Sequence, residues 1–284
     1  MKPSAFAYAR PRALEEAFAL LDKHGENAKL LAGGQSLLAT LNMRLAAPEI
    51  LVDIGAIPGL DGIAVQGKNL VIGARATHRA IERSEAVAKH APLLAQAAPH
   101  IAHVAIRNAG TLGGSLAMAD PAAEWPACCI ALEANIVIAS KKGERRVPAG
   151  EFFKDLYTTA LGAGELITAV EIPCAAKDER HAFLELVRRR GDYAIVGLAA
   201  RARVKGKALA GVQLVFLGVG VTPVQAKGAM AALEGKAADD ATLRAAQTAL
   251  DAELAPSADI YTSAEAKRHL ARVLVARAVA ALAG

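Results

Sequence analysis

Two short glycine-rich segments hold the residues of this sequence best suited to chemistry. Ala32-Gly33-Gly34-Gln35-Ser36, running into Leu37, follows a strand-like run and opens a helix-like one, an arrangement that presents backbone N–H groups to an anion. Thr111-Leu112-Gly113-Gly114-Ser115 carries the same chemistry, because paired glycines admit close backbone approach and flanking hydroxyls can donate to phosphate oxygens. Taken singly, each also reads as a tight turn, the first with Ser36 as a helix cap. Together they could clasp the two halves of a pyrophosphate. The second lies in the most glycine-rich part of the chain, Ile106 to Ala127, which reads as a long loop of the kind compact domains keep for binding.

Other reactive side chains are sparse around these segments. The three cysteines, Cys128, Cys129 and Cys174, supply neither a disulfide framework nor the four thiolates of an iron–sulfur cluster. Cys128 and Cys129 sit in an apolar stretch and read as small core residues. None of the seven histidines falls within either segment, and His78, after Thr77, reads as a surface residue at a helix start. No acid–base constellation stands beside the glycines, so no catalytic residue and no metal ligand is assigned. A nicotinamide site of the usual kind is disfavoured as well, since no G-x-G-x-x-G follows the first strand.

The elements that must position these segments alternate along the chain. Residues 12–23 carry Leu14, Ala17, Phe18 and Leu21 at helical spacing, and Ala28 to Leu31 reads as the strand before the first segment. Further strands are expected at 50–53, 63–66, 70–73, 135–139 and 166–172, with Thr77 capping a helix and another helix over 92–102. Near Pro173 the character changes. Residues 182–189, 194–204 and 208–219 read as three strands joined by turns such as Lys205-Gly206-Lys207, and the last third is helical, with Thr262 and Glu265 at capping-box spacing. The boundary is placed at 174.

Composition limits the remaining classes. With 284 residues, 54% hydrophobic and 21% charged, the chain can form about two domains with substantial cores. The net charge of +5 comes from 33 basic residues scattered among 28 acidic ones, and aromatics make up 4%, so neither a basic stripe nor stacking platforms point to nucleic acid. The most apolar run, Leu209 to Val221, is too short and glycine-rich for a membrane span. Arg10, Arg12, Glu15 and Glu16 interrupt the N-terminal stretch where a signal peptide needs apolar residues, which gives a cytoplasmic expectation.

Three longer strings are more specific than their chemistry. LLAGGQSLLATLNMRLAAPEILVDI from Leu30 and IRNAGTLGGSLAMADPAAEWPA from Ile106 resemble the two FAD-binding segments of the medium subunit of the xanthine oxidase and carbon monoxide dehydrogenase family of molybdenum hydroxylases. RRRGDYAIVGLAA, from Arg188, resembles that family's next signature, and the likeness covers almost the whole chain. It implies an α+β protein: a vanillyl-alcohol-oxidase-like (PCMH-type) FAD-binding fold over 1–173, in two α/β subdomains of about 1–55 and 56–173. A C-terminal α+β domain, 174–284, with a three-stranded antiparallel sheet and helices would cover the flavin.

By the same resemblance, Ala32, Gly33, Gly34, Gln35, Ser36 and Leu37 with Thr111, Leu112, Gly113, Gly114 and Ser115 wrap the pyrophosphate and approach the flavin ring. Glu124 stands where relatives often carry an aspartate near the cofactor, and Ile167 contacts the adenine end. Asp192 and Tyr193 line the open side of the flavin, and Glu185 falls near a position where some relatives carry a lysine. The expected function is that of an electron-transfer oxidoreductase subunit with noncovalent FAD. It takes electrons from [2Fe–2S] clusters on a small partner chain, fed from a molybdopterin site on a large one, and delivers them to an external acceptor. The complex is expected to be a dimer of heterotrimers. A stand-alone flavin reductase or oxidase of the same fold, and a non-enzymatic assembly subunit, are the alternatives.

Overall fold

The computed structural model describes residues 2–284 and builds three larger sheets and one two-stranded hairpin around three apolar cores. Strands β1 (Ala7–Ala9), β2 (Ala28–Leu31) and β3 (Ile50–Asp53) form a parallel sheet in the order β1-β3-β2. Parallel strands need crossovers: between the neighbours β2 and β3 the chain passes through the helix Leu37–Asn42, and between β1 and β2, which flank β3, through the helix Leu14–His24. It buries Ala17, Phe18 and Leu21, and its terminal charges suit the helix dipole, with Glu15 and Glu16 in the first turn and Lys23 and His24 in the last.

The second sheet is antiparallel throughout. It comprises β4 (Ile63–Gln66), β5 (Asn69–Gly73), β6 (Asn135–Ser140), β7 (Gly143–Pro148) and, after a small hairpin of β8 (Phe153–Asp155) and β9 (Thr158–Thr159), β10 (Leu166–Pro173). The order is β4-β5-β10-β6-β7. Alternate residues Leu70, Ile72, Ile136, Ile138, Val170 and Ile172 are fully buried on the face covered by helices. Strand β7 was not expected from the sequence: its GERRV stretch is mostly exposed at the sheet edge. It is tied by Arg145 to Glu165 and Arg146 to Glu171, so no apolar alternation marks it.

The third sheet contains β11 (Glu179–Leu186), β12 (Val196–Lys205), β13 (Ala208–Leu217) and a short β14 (Val224–Gln225), all antiparallel. Three strands were expected; β14 adds a fourth of two residues, too brief to show a period. Helices Lys227–Leu233, Asp240–Glu253 and Ala264–Ala283 cover one face. The other face, through Phe183, Ala199, Val215 and Leu217, packs into the core of the second sheet's helices. Between the two lies the helix Glu124–Ala131, buried along its whole length, which is why its sequence is apolar all round.

The last helix starts one residue later than the expected cap. Ser263 accepts from the Ala266 amide at 3.1 Å, whereas Thr262 lends its own amide to Asp259. Ser263→Ala is therefore expected to cost about 1 kcal/mol, and Thr262→Ala much less. Urea unfolding midpoints of the two variants check the assignment.

Candidate functional site

A cleft of about 1150 Å³ runs between the first sheet, the second sheet and the loop that precedes β12. Its size exceeds the usual range for small-ligand pockets and suits an extended dinucleotide. Ala32, Gly33, Gly34, Gln35, Ser36 and Leu37 line one wall. The amides from Gly33 to Ser36 have no hydrogen-bond partner among the described residues, and Ser36 makes no side-chain cap, contrary to its reading as a helix cap. Gly34 has φ +71°, so that successive N–H groups form an anion-binding concavity that a side-chain-bearing residue would strain.

Opposite stand Thr111, Gly113, Gly114 and Ser115. Here the expected equivalence of the two segments fails. Leu112 donates to Ala76, Gly113 to Ala74, Ser115 to the Thr111 carbonyl, and Gly114 to the Thr111 hydroxyl at 3.2 Å. These amides are spent, and the segment serves as a flat wall. Nor is Ile106 to Ala127 a long loop: it holds the end of a helix at Val104–Arg107, all of Leu112–Met118 and the start of Glu124–Ala131. Within that helix position 113 must be glycine, because a Cβ there would lie 2.6 Å from that of Ala74. Leu112 faces the core, fully buried, and its side chain does not reach the cleft.

The two walls touch. A Cβ on Gly33 would stand 2.1 Å from the Ala109 carbonyl oxygen. Ile167, beside an irregularity in the pairing of β10 with β6, lines the cleft with Leu166. Asp192 and Tyr193 reach it from the loop before β12, with Tyr193 72% exposed. Gly191 brings that loop close: with φ +90°, it packs where a Cβ would meet the His103 ring at 2.6 Å.

Glu124 borders the cleft from the buried helix start. Burial pushes its carboxyl up to about 8, and the Glu185 and Asp120 carboxylates push in the same direction, so it is neutral at pH 7. Glu185 itself lies outside the cleft. Its side chain is 2% exposed, 3.6 Å from Nδ1 of His100, with Oε2 lacking any partner.

Sequence reasoning missed two supports. Arg107, buried, donates to the carbonyls of Ile101 and Ala102 and to Glu82, fixing the turn that brings Ile101 to His103 to the cleft. His78 is not a surface residue: it is 6% exposed, at the cleft, and bonded to Trp125. Cys128 and Cys129 are, as expected, fully buried core residues, their thiols raised by burial, Cys129 to about 12.

Comparison with known proteins defines the class. Residues 4–175 match the family described as FAD binding domain in molybdopterin dehydrogenase, and residues 181–282 match the CO dehydrogenase flavoprotein C-terminal domain. The chain belongs to the FAD-binding subunits of molybdenum hydroxylases, and its α+β fold is theirs. It is 38% identical to the carbon monoxide dehydrogenase medium chain of Hydrogenophaga pseudoflava, covering 98% of this chain and 97% of that one. It is 37% identical to the nicotine 6-hydroxylase medium subunit of Paenarthrobacter nicotinovorans, covering 98% of each. Among solved structures, it superposes on H. pseudoflava carbon monoxide dehydrogenase with a TM-score of 0.97 at 39% identity, covering 99% of this chain and 98% of that one. Quinoline 2-oxidoreductase of Pseudomonas putida gives 0.95 at 38% identity with the same coverage. The protein is thus the flavoprotein, electron-transferring component of a multi-subunit oxidoreductase.

Proposed function

We propose that the cleft holds one noncovalent FAD, its pyrophosphate on the free amides of the Ala32–Leu37 segment and against the flat wall of Gly113 and Gly114. The observation that carries this reading is the unbroken run of unpaired amides from Gly33 to Ser36 at a cleft of dinucleotide size. Ser36 and Ser115 add hydroxyls, Ile167 an apolar contact, Glu124 a neutral carboxyl, and Asp192 and Tyr193 border the mouth. When bound, FAD accepts electrons singly and passes them on as a pair. The chain's residues orient the cofactor and restrict water around it. Division at 174 gives the FAD-binding part and a C-terminal part that covers the flavin.

The partners are a small chain carrying [2Fe–2S] clusters and a large molybdopterin chain, assembled as a dimer of heterotrimers in the cytoplasm. Among the described residues no helix is long and apolar enough to cross a membrane. Substrate selection and oxidation belong to the large chain.

Acid or heat should release one FAD per chain from the purified protein. The isolated flavin should accept electrons from a chemical reductant, while organic substrates should bleach it only after the partner chains are added. Yellow colour retained by denatured protein, or release of FMN, contradicts the site reading; bleaching by substrate without partners contradicts the relay.

A further inference from the structure

His78 and Trp125 form a buried pair on the cleft wall that none of the roles above uses. The indole Nε1–H of Trp125 donates to Nδ1 of His78 at 2.9 Å, and an indole nitrogen can only donate. Nδ1 is therefore the bare nitrogen, and the ring proton sits on Nε2. The ring is also neutral: burial, and after it the Arg107 charge, lowers the imidazole to about 4.

Nε2 lies beside Gly110, where a Cβ would stand 2.7 Å from it, and the His78 backbone N–H donates to the Gly110 carbonyl at 2.9 Å. Gly110 also borders the cleft and leads directly into Thr111. Among the described residues no acceptor reaches Nε2, yet it is not among the sealed, partnerless atoms as Oε2 of Glu185 is. The arrangement leaves an N–H of fixed tautomer at the cleft, on the wall where the amides of Leu112 to Ser115 are spent.

We propose that His78 binds the pyrophosphate of the cofactor, its Nε2–H donating to a phosphate oxygen. The inference rests on reading the cleft as a FAD site and adds an oriented ring donor to a wall where the amides of Leu112 to Ser115 are spent. Trp125 is then a positioning residue: it holds the tautomer and touches no ligand. Gly110 is bare because the imidazole occupies the space a side chain would take.

The test uses flavin-depleted full-length protein with FAD and with ADP, which keeps the diphosphate but lacks the flavin. Imidazole 15N shifts of the wild type should show the Nε2–H tautomer; an Nδ1–H tautomer overturns the proposal without any variant. His78→Leu should weaken both FAD and ADP by roughly tenfold to a hundredfold, the loss of one hydrogen bond to a charged group. It should also move a 31P resonance of bound ADP. His78→Gln, whose amide N–H falls near the place of Nε2, should recover most of the affinity, and Trp125→Phe should populate both tautomers and weaken ADP by a few-fold, about 3 to 5 times.

Unchanged ADP affinity in folded His78→Leu, or a glutamine variant no better than leucine, overturns the role of His78 while the site stands. If His78→Leu does not fold, unchanged ADP affinity in Trp125→Phe together with a mixed tautomer overturns it instead. Wild-type protein that takes up neither FAD nor ADP overturns the site reading, and the role of His78 with it.

Discussion

Gly33→Val is expected to leave the protein without flavin and measurably less stable. A Cβ at that position would lie 2.1 Å from the Ala109 carbonyl oxygen and 2.8 Å from Cα of Gly110, and both are backbone atoms that cannot rotate aside. The two glycine segments must part, at a cost of about 1–3 kcal/mol for overpacking. Their separation moves the free amides of Gly33 to Ser36 away from the opposite wall. Gly114→Val is expected to behave differently. Its Cβ would meet the Thr111 hydroxyl at 2.8 Å, which can turn, and the Ala32 Cβ only at 4.0 Å. The stability loss should stay near that of one lost helix cap, about 1 kcal/mol, while the valine methyls intrude between the walls and displace the cofactor. Gly62→Ala, which opens onto empty space, serves as the control and should keep both flavin and stability. Flavin absorbance per chain, read beside thermal unfolding, separates the three; full flavin in both valine variants would remove the segments from the site.

Much of this arrangement was legible in the sequence because its signals are local. Leu30 and Leu31 give way at once to Gly33-Gly34 and then to Leu37 and Leu41, and the strand, turn and helix that result are the ones observed. The character change near Pro173 likewise marks the step from β10 to the meander β11 to β13. What could not be read depends on partners distant in the chain. Intrinsic propensity places Gly113 and Gly114 outside helices, yet both sit in one, and at 113 the distant Ala74 leaves room for no side chain. The polar residues around His78 suggest a surface, and nothing local announces Trp125 as its partner. The spent amides of Leu112 and Gly113 were equally hidden, since their acceptors at Ala76 and Ala74 come from the chain after β5.

The same distant packing governs charge in the cleft. His78 and Glu124 are each kept neutral by burial, so this part of the wall offers polar atoms without ionic charge, an environment that spares an anionic cofactor like-charge repulsion from Glu124. For Glu124 the neutrality has a cost that grows with pH. Its carboxyl is raised from the ordinary 4.5 to about 8 in the folded chain, by burial first and then by Glu185 and Asp120.

Glu124→Gln should therefore make the protein more stable, by an amount that depends on pH. Below about pH 4.5 the carboxyl is protonated in folded and unfolded chains alike and costs nothing. Between 4.5 and about 8 the unfolded chain ionises while the folded one does not, so native stability falls as pH rises; above about 8 the loss levels off. Each pH unit in that window is worth about 1.4 kcal/mol, which gives roughly 3 kcal/mol at pH 7. Glutamine has the same shape, keeps a donor and an acceptor, and cannot ionise. The difference in unfolding free energy between Glu124→Gln and wild type, both freed of flavin, should be near zero at pH 4 and reach roughly 3 kcal/mol at pH 7. Taking the difference cancels the titration of every other group that the substitution leaves alone. A difference that is flat with pH would mean that Glu124 titrates in the folded cleft as it does in the unfolded chain, and that its role there is that of a charge.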